Sequence, residues 1–215
     1  MRGLRPVRSP FRFATALCRS PDNALSTLGA HDAIAVRASR GVAVAMIMLV
    51  KAIELTLFPA VMAFAASSDL FTMTIANRVS IILVAGFALL AALTGMDASD
   101  LLSHVGAAAA VLAVVFVFFA FGWIGGGDAK LAAATALWFG FAHLVDYLFY
   151  ASLIGGALTL AVIYFRGMPL PQVFVGLPWA ERLHRSDSGV PYGIALAAAA
   201  LVVYPNTQWV AAIGR

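Results

Sequence analysis

Charge is scarce in this sequence: Asp, Glu, Lys and Arg make up 11% of 215 residues, against roughly 25% in an ordinary soluble domain. That scarcity excludes a water-soluble globule, which needs more polar surface than this chain carries. Cysteine is nearly absent. Cys18 stands alone, so there is no intramolecular disulfide to draw and no Cys-x-x-Cys pair for zinc. His104 and His143 have no third ligand at a spacing such as His-x-x-x-His, and are read as core or interface histidines. No metal or other cofactor is expected. The basic excess is confined to one end. Arg2, Arg5, Arg8, Arg12, Arg19, Arg37 and Arg40 face only Asp22 and Asp32 in residues 1–45, and the rest of the chain is close to neutral. That distribution gives no reason to expect a nucleic-acid partner.

What the chain does have is hydrophobic length. Apolar residues reach 62% and come in runs such as Leu101 to Trp123 and Ala151 to Phe165, which marks the lipid bilayer as a partner. Segments at 46–67, 79–96, 101–122, 129–143, 147–165 and 190–208 are each candidate spans. Backbone in lipid must satisfy its own hydrogen bonds, so the expected fold is all-α: a polytopic membrane bundle of about six transmembrane helices. Residues 1–45 are expected to be a separate Arg-rich segment, disordered or an over-extended start with translation beginning at Met46 or Met48. Residues 46–215 are expected to form the membrane-embedded domain.

Numbering the connections alternately puts Arg78, Lys130, Arg166, Arg182 and Arg185 on one side. Lys51 and Arg215 fall on the other, beside Asp97, Asp100 and Asp146. The positive-inside bias makes the first side cytoplasmic. The Arg-rich leading segment would then have to be translocated against the same bias, which is the physical reason for doubting it. A polar connection from Arg166 to Gly189 lies on the cytoplasmic side, as a lid, a docking surface or neither.

Ionisable groups in or near membrane spans are costly unless paired, hydrated or used. Lys51 and Glu54, three residues apart, are accounted for by a local pair or by snorkelling. Asp69 and Asp128 differ, because the topology brings both to one membrane face, one after the first span and one after the third. Two carboxylates at close range share a proton, and the ionised one acts as base toward a water between them. That chemistry hydrolyses a peptide bond without a metal. The bland alternatives are a solvated loop acid at Asp69 and a helix N-cap at Asp128. Gly125-Gly126-Gly127 directly before Asp128 permits close backbone approach, as an extended peptide substrate requires. A glycine packing seam competes, but three glycines in succession are expected to break a helix.

Three segments together resemble the type IV prepilin peptidases. They are Ser68-Asp69-Leu70-Phe71-Thr72-Met73-Thr74-Ile75-Ala76-Asn77-Arg78, Gly125-Gly126-Gly127-Asp128-Ala129-Lys130-Leu131, and Val190-Pro191-Tyr192-Gly193-Ile194-Ala195. The resemblance covers roughly 46 to 203 and departs from the family at Ala76, where a proline is usual. It also lacks the cytoplasmic insertion with paired cysteines found in the long members that methylate their product. The resemblance therefore implies the short, peptidase-only form of Flp-type (tight-adherence) pilus systems, in a bacterial inner membrane. Asp69 and Asp128 would be catalytic. Gly125, Gly127, Lys130, Asn77 and Arg78 would support the substrate loop, with Lys130 tuning Asp128, meeting a substrate acid or anchoring the helix. The implied partners are a Flp-type prepilin and pilus assembly machinery. A small transporter or channel using the aspartates as a proton or ion site is the alternative from a different class. It calls for acids near mid-membrane and repeat symmetry, and the sequence displays neither. A non-catalytic assembly subunit is a third.

Overall fold

The computed structural model describes residues 30–211. Its helices are α1 (Ala30–Thr72), α2 (Asn77–Thr94), α3 (Ala98–Ala120), α4 (Gly126–Gly167), α5 (Pro178–His184), α6 (Tyr192–Val203) and α7 (Gln208–Ala211), and no strand occurs among the described residues. Four helices are long and apolar enough to cross a membrane: α1 from Ser39, α2, α3 and α4. The expectation for residues 1–45 falls partly on 1–29, outside the described residues, and partly on 30–45, where α1 is already helical.

The chain buries narrow stripes and leaves broad apolar flanks exposed. On α1 the buried positions Glu54, Phe58, Met62, Ala65 and Asp69 recur every three or four residues, so one face of the helix meets the bundle. On α3 the stripe is His104, Ala107 and Val111, while Leu102 and Phe116 point outward at 73% and 62% exposure. Apolar surface on that scale is what lipid solvates, and the chain is a membrane protein.

The element at the centre is the first part of α4, buried from Leu131 through Gly140. Its Ala132, Ala133, Ala134 and Ala136 keep it thin enough for α2, α3 and α6 to pack against α4.

Expected spans four and five are two arms of α4. Gly140, at φ 59° and ψ −175°, interrupts the helical backbone between them. That region is essentially closed to residues with a Cβ. Phe139 and Tyr147 lie on opposite sides of the break, yet their ring centroids are 5.2 Å apart. Eight residues of continuous helix would separate them by about 12 Å, so the chain turns back here. Separate spans at 129–143 and 147–165 would place this turn near Asp146. Asp146 lies inside the second helical arm, because the glycine, not the acid, permits the reversal.

The break strands backbone groups that a continuous helix would satisfy, and side chains from α3 and α7 take them up. His104 of α3 bonds the Leu137 carbonyl through Nδ1 at 2.7 Å. Trp209 of α7 donates Nε1–H to the Trp138 carbonyl at 2.9 Å, and Ser103 Oγ accepts the Phe141 N–H at 3.3 Å. Gln208 closes the set against His104 Nε2 at 3.1 Å. His104 is thus a structural histidine of the fold.

The last expected span, 190–208, is α6 followed by a 3-10 turn, Tyr204–Asn206, around Pro205. The Tyr204 hydroxyl donates to the Glu54 carbonyl, tying this turn to α1. Lys51 lies close enough for charge attraction to Glu54, in keeping with a local pair.

Candidate active site

Asp69 occupies the last turn of α1 and is 4% exposed. The helix stops because Met73 takes a left-handed conformation, φ 52°, with its N–H closing on the Asp69 carbonyl at 2.8 Å. The aspartate is therefore held by helix rather than loop, and its side chain turns inward. The Gly193 N–H donates to its Oδ2 at 2.7 Å, and the Ile194 N–H also faces the carboxylate. These belong to the first turn of α6, where N–H groups have no partner within the helix and favour an anion.

Asp128 is the third residue of α4, which begins at Gly126 with Gly125 as its N-cap. Its carboxylate faces the Gly125 N–H, in the manner of the side-chain half of a capping box. Asp128 is thus not the N-cap that the bland alternative assigned. A Cβ on Gly125 would lie 3.1 Å from Asp128 Oδ2, so the glycine leaves room for the carboxylate to fold back. Of the glycine run, only Gly125 stands outside the helix. Gly126 and Gly127 form its first turn, where broken intrahelical bonding costs nothing.

Ile75 joins the two aspartate neighbourhoods. A Cβ on Gly127 would meet Ile75 Cβ at 3.2 Å, and one on Gly193 would meet Ile75 Cδ1 at 2.6 Å and Asp69 Oδ2 at 2.8 Å. Ile75 thus sits between the residue before Asp128 and the residue that holds Asp69. The carboxylates are close enough for their charges to repel each other.

Asn77 and Lys130 also meet. Lys130 Nζ donates to Asn77 Oδ1 at 2.8 Å, linking α4 to the start of α2, and Arg78 stands exposed beside Asn77. Ala76, the departure from the resembled family, sits at φ −65° and ψ 139°, a conformation a proline also adopts. An apolar groove of about 380 Å³, lined by residues including Ser80, Val105, Ala109, Leu112 and Ala133, has Lys130 on its wall. Among the described residues, no three His, Cys, Asp or Glu side chains gather at metal-ligand spacing.

A second layer holds α6 in place. The Tyr192 hydroxyl donates to the Ala151 carbonyl at 3.1 Å, and its ring occupies the space that a side chain on Gly155 would fill. Arg166 reaches the carbonyls of Leu183, Ser188 and Gly189 at 2.8, 2.9 and 2.9 Å, fixing the chain just before α6. Arg182 Nη1 donates to the Phe71 carbonyl at 2.9 Å, two residues beyond Asp69. The sequence pointed to Pro191-Tyr192-Gly193 as a string but not to Gly193 as a partner of Asp69. Nor did it single out Arg166 or Arg182, whose roles rest on contacts remote in sequence.

The sequence model of the type IV leader peptidase family matches residues 56–160, a stretch that contains both aspartates. This match, over 105 of 215 residues, supports a place for the chain in the type IV leader peptidase family. No curated protein and no solved structure matches the chain.

Proposed function

We propose that this protein is an aspartyl endopeptidase that removes the leader peptide of type IV, Flp-type prepilins at the cytoplasmic face of a bacterial inner membrane, without methylating the product. The observation that carries the proposal is the convergence of Asp69 and Asp128 around Ile75, with one oxygen of Asp69 already engaged by Gly193.

With Oδ2 of Asp69 occupied, its other oxygen and the carboxyl of Asp128 are left to hold one water. The ionised member takes a proton from that water as it attacks the scissile carbonyl. The protonated member gives its proton to the substrate, and collapse of the tetrahedral intermediate releases the leader. The pair titrates as a unit, so neither proton belongs to one residue alone. The glycines at 125 and 127 give up their side-chain space to the Asp128 carboxylate and to Ile75, which lets the two acids approach each other. The groove beside Lys130 offers the precursor's apolar helix a lateral approach through the bilayer. Arg78, Lys130, Arg166 and Arg182 cluster at the aspartate end of the bundle, which supports a cytoplasmic site under the positive-inside bias.

The test is co-expression with a Flp-type prepilin, following the mobility shift on gels. Asp69→Asn and Asp128→Asn are each expected to abolish cleavage while membrane abundance stays near wild type. Asn still presents a side-chain oxygen to the Gly125 N–H, as Glu and Gln both do in a capping box, so a purely structural Asp128 would tolerate the change. Normal processing by either well-expressed variant would reject the dyad.

A further inference from the structure

The connection between α4 and α6 divides sharply by composition: residues 167–180 contain no charged side chain, and Glu181, Arg182, Arg185 and Asp187 all follow. The uncharged half is not folded away from solvent. Val173 is 82% exposed, Val175 61% and Met168 43%. Yet the segment is held in place. Phe174, between the two valines, sets its ring against Phe165 in the last turns of α4 at 6.3 Å and against Trp179 at 5.9 Å. Trp179 in turn meets Phe71 at the end of α1 at 6.3 Å. Gly176, at φ 85°, turns the chain back, with its N–H bonded to Glu181 Oε1 at 2.8 Å.

We propose that Val173, Val175 and Met168 seat in the lipid leaflet on the side of Asp69 and Asp128, making this strap an interfacial membrane anchor. The lipid-facing surface of α4 runs straight into it: Leu160, Ile163 and Tyr164 are 70%, 58% and 71% exposed on the final turns of that span. The Phe165–Phe174 contact keeps the valines beside those turns, at the level where the helix leaves the bilayer. A short uncharged segment with exposed aliphatics and an adjacent tryptophan, followed by arginines, has the division expected of a chain lying in the interface. Arg182, half-buried, carries the attachment to the Phe71 carbonyl, while Arg185 stands exposed and pairs with Asp187. The anchor therefore braces the end of α1 that holds Asp69. It stands whether or not the two aspartates cleave a peptide bond.

The test uses the full chain with Cys18→Ser, reconstituted in nanodiscs of phosphatidylethanolamine and phosphatidylglycerol. Single cysteines replace Val173 or Val175 and are spin-labelled, with Tyr164→Cys as the lipid-facing reference and Asp187→Cys as the water-facing one. Labels at 173 and 175 are expected to collide readily with oxygen and poorly with a water-soluble nickel chelate, matching 164, with a collision ratio several-fold above that at 187. A ratio like that at 187 would overturn the proposal. So would low access to both reagents, which means cover by protein, or a nickel-accessible label shielded only when precursor is added, which means a substrate surface.

Discussion

The Gly193 N–H lies 2.7 Å from Oδ2 of Asp69, across 124 positions of sequence. The contact requires a glycine, because a Cβ there would stand 2.8 Å from the same oxygen. Gly193→Ala is expected to push the Asp69 carboxyl out of line and lower kcat by roughly 10–100-fold with little change in KM, since misplacing a reacting group by about 1 Å costs on that order. Trimming Ile75 to Val in the same chain relieves the contact with Cδ1 but not the one with Asp69, so it should not restore activity. Cleavage kinetics on purified protein check this. A wild-type kcat in Gly193→Ala would remove the contact from the mechanism.

Gly140 makes a separable prediction about stability. Its φ of 59° with ψ of −175° is costly for any L side chain, and an added Cβ would come within 3.3 Å of the His104 ring. Gly140→Ala is expected to lower stability by about 1–3 kcal/mol, read as a lower midpoint of thermal unfolding in detergent. Protein that remains folded should still cleave, because the turn lies at the end of the first arm away from Asp128.

At Ala76 the prediction runs the other way. Its backbone is already in a proline conformation, and its N–H donates no hydrogen bond among the described residues. Ala76→Pro is therefore expected to raise stability by about 0.4–1 kcal/mol by restricting the unfolded chain, with activity retained. Melting temperature and cleavage rate measured together test it, and a destabilised variant would contradict the loop geometry.

The Lys130–Asn77 bond, 2.8 Å long and exposed, separates anchoring from substrate recognition. If lysine acts through Asn77, Lys130→Ala and Asn77→Ala should have similar, non-additive effects, with a coupling of roughly 0.5–1.5 kcal/mol, the net worth of a typical hydrogen bond. If Lys130 meets an acid on the substrate, its removal raises KM and the asparagine variant does not. Steady-state kinetics of the two single variants and the double variant distinguish these outcomes.

Composition alone determined the solvent, the helical class and the approximate spans, because a chain with 11% charge and long apolar runs has few other ways to satisfy its backbone. Alternation of the connections also brought Asp69 and Asp128 to one face, and the glycine run marked where Asp128 needs space. Local pattern could not locate the reversal in α4. Nothing in the sequence marks Gly140 apart from Gly155 or Gly156 of the same helix; its backbone angles depend on His104, Ser103 and Trp209 being there to take up the freed backbone groups. Nor could it pair Asp69 with Gly193 or tie Arg182 to Phe71, since a hydrogen bond between remote segments leaves no periodicity in the sequence. The connection from Arg166 to Gly189, read as polar from the sequence, divides into an uncharged half and a charged half. Side-chain chemistry set what each residue could do, and the packing of α1, α4 and α6 decided which of them meet.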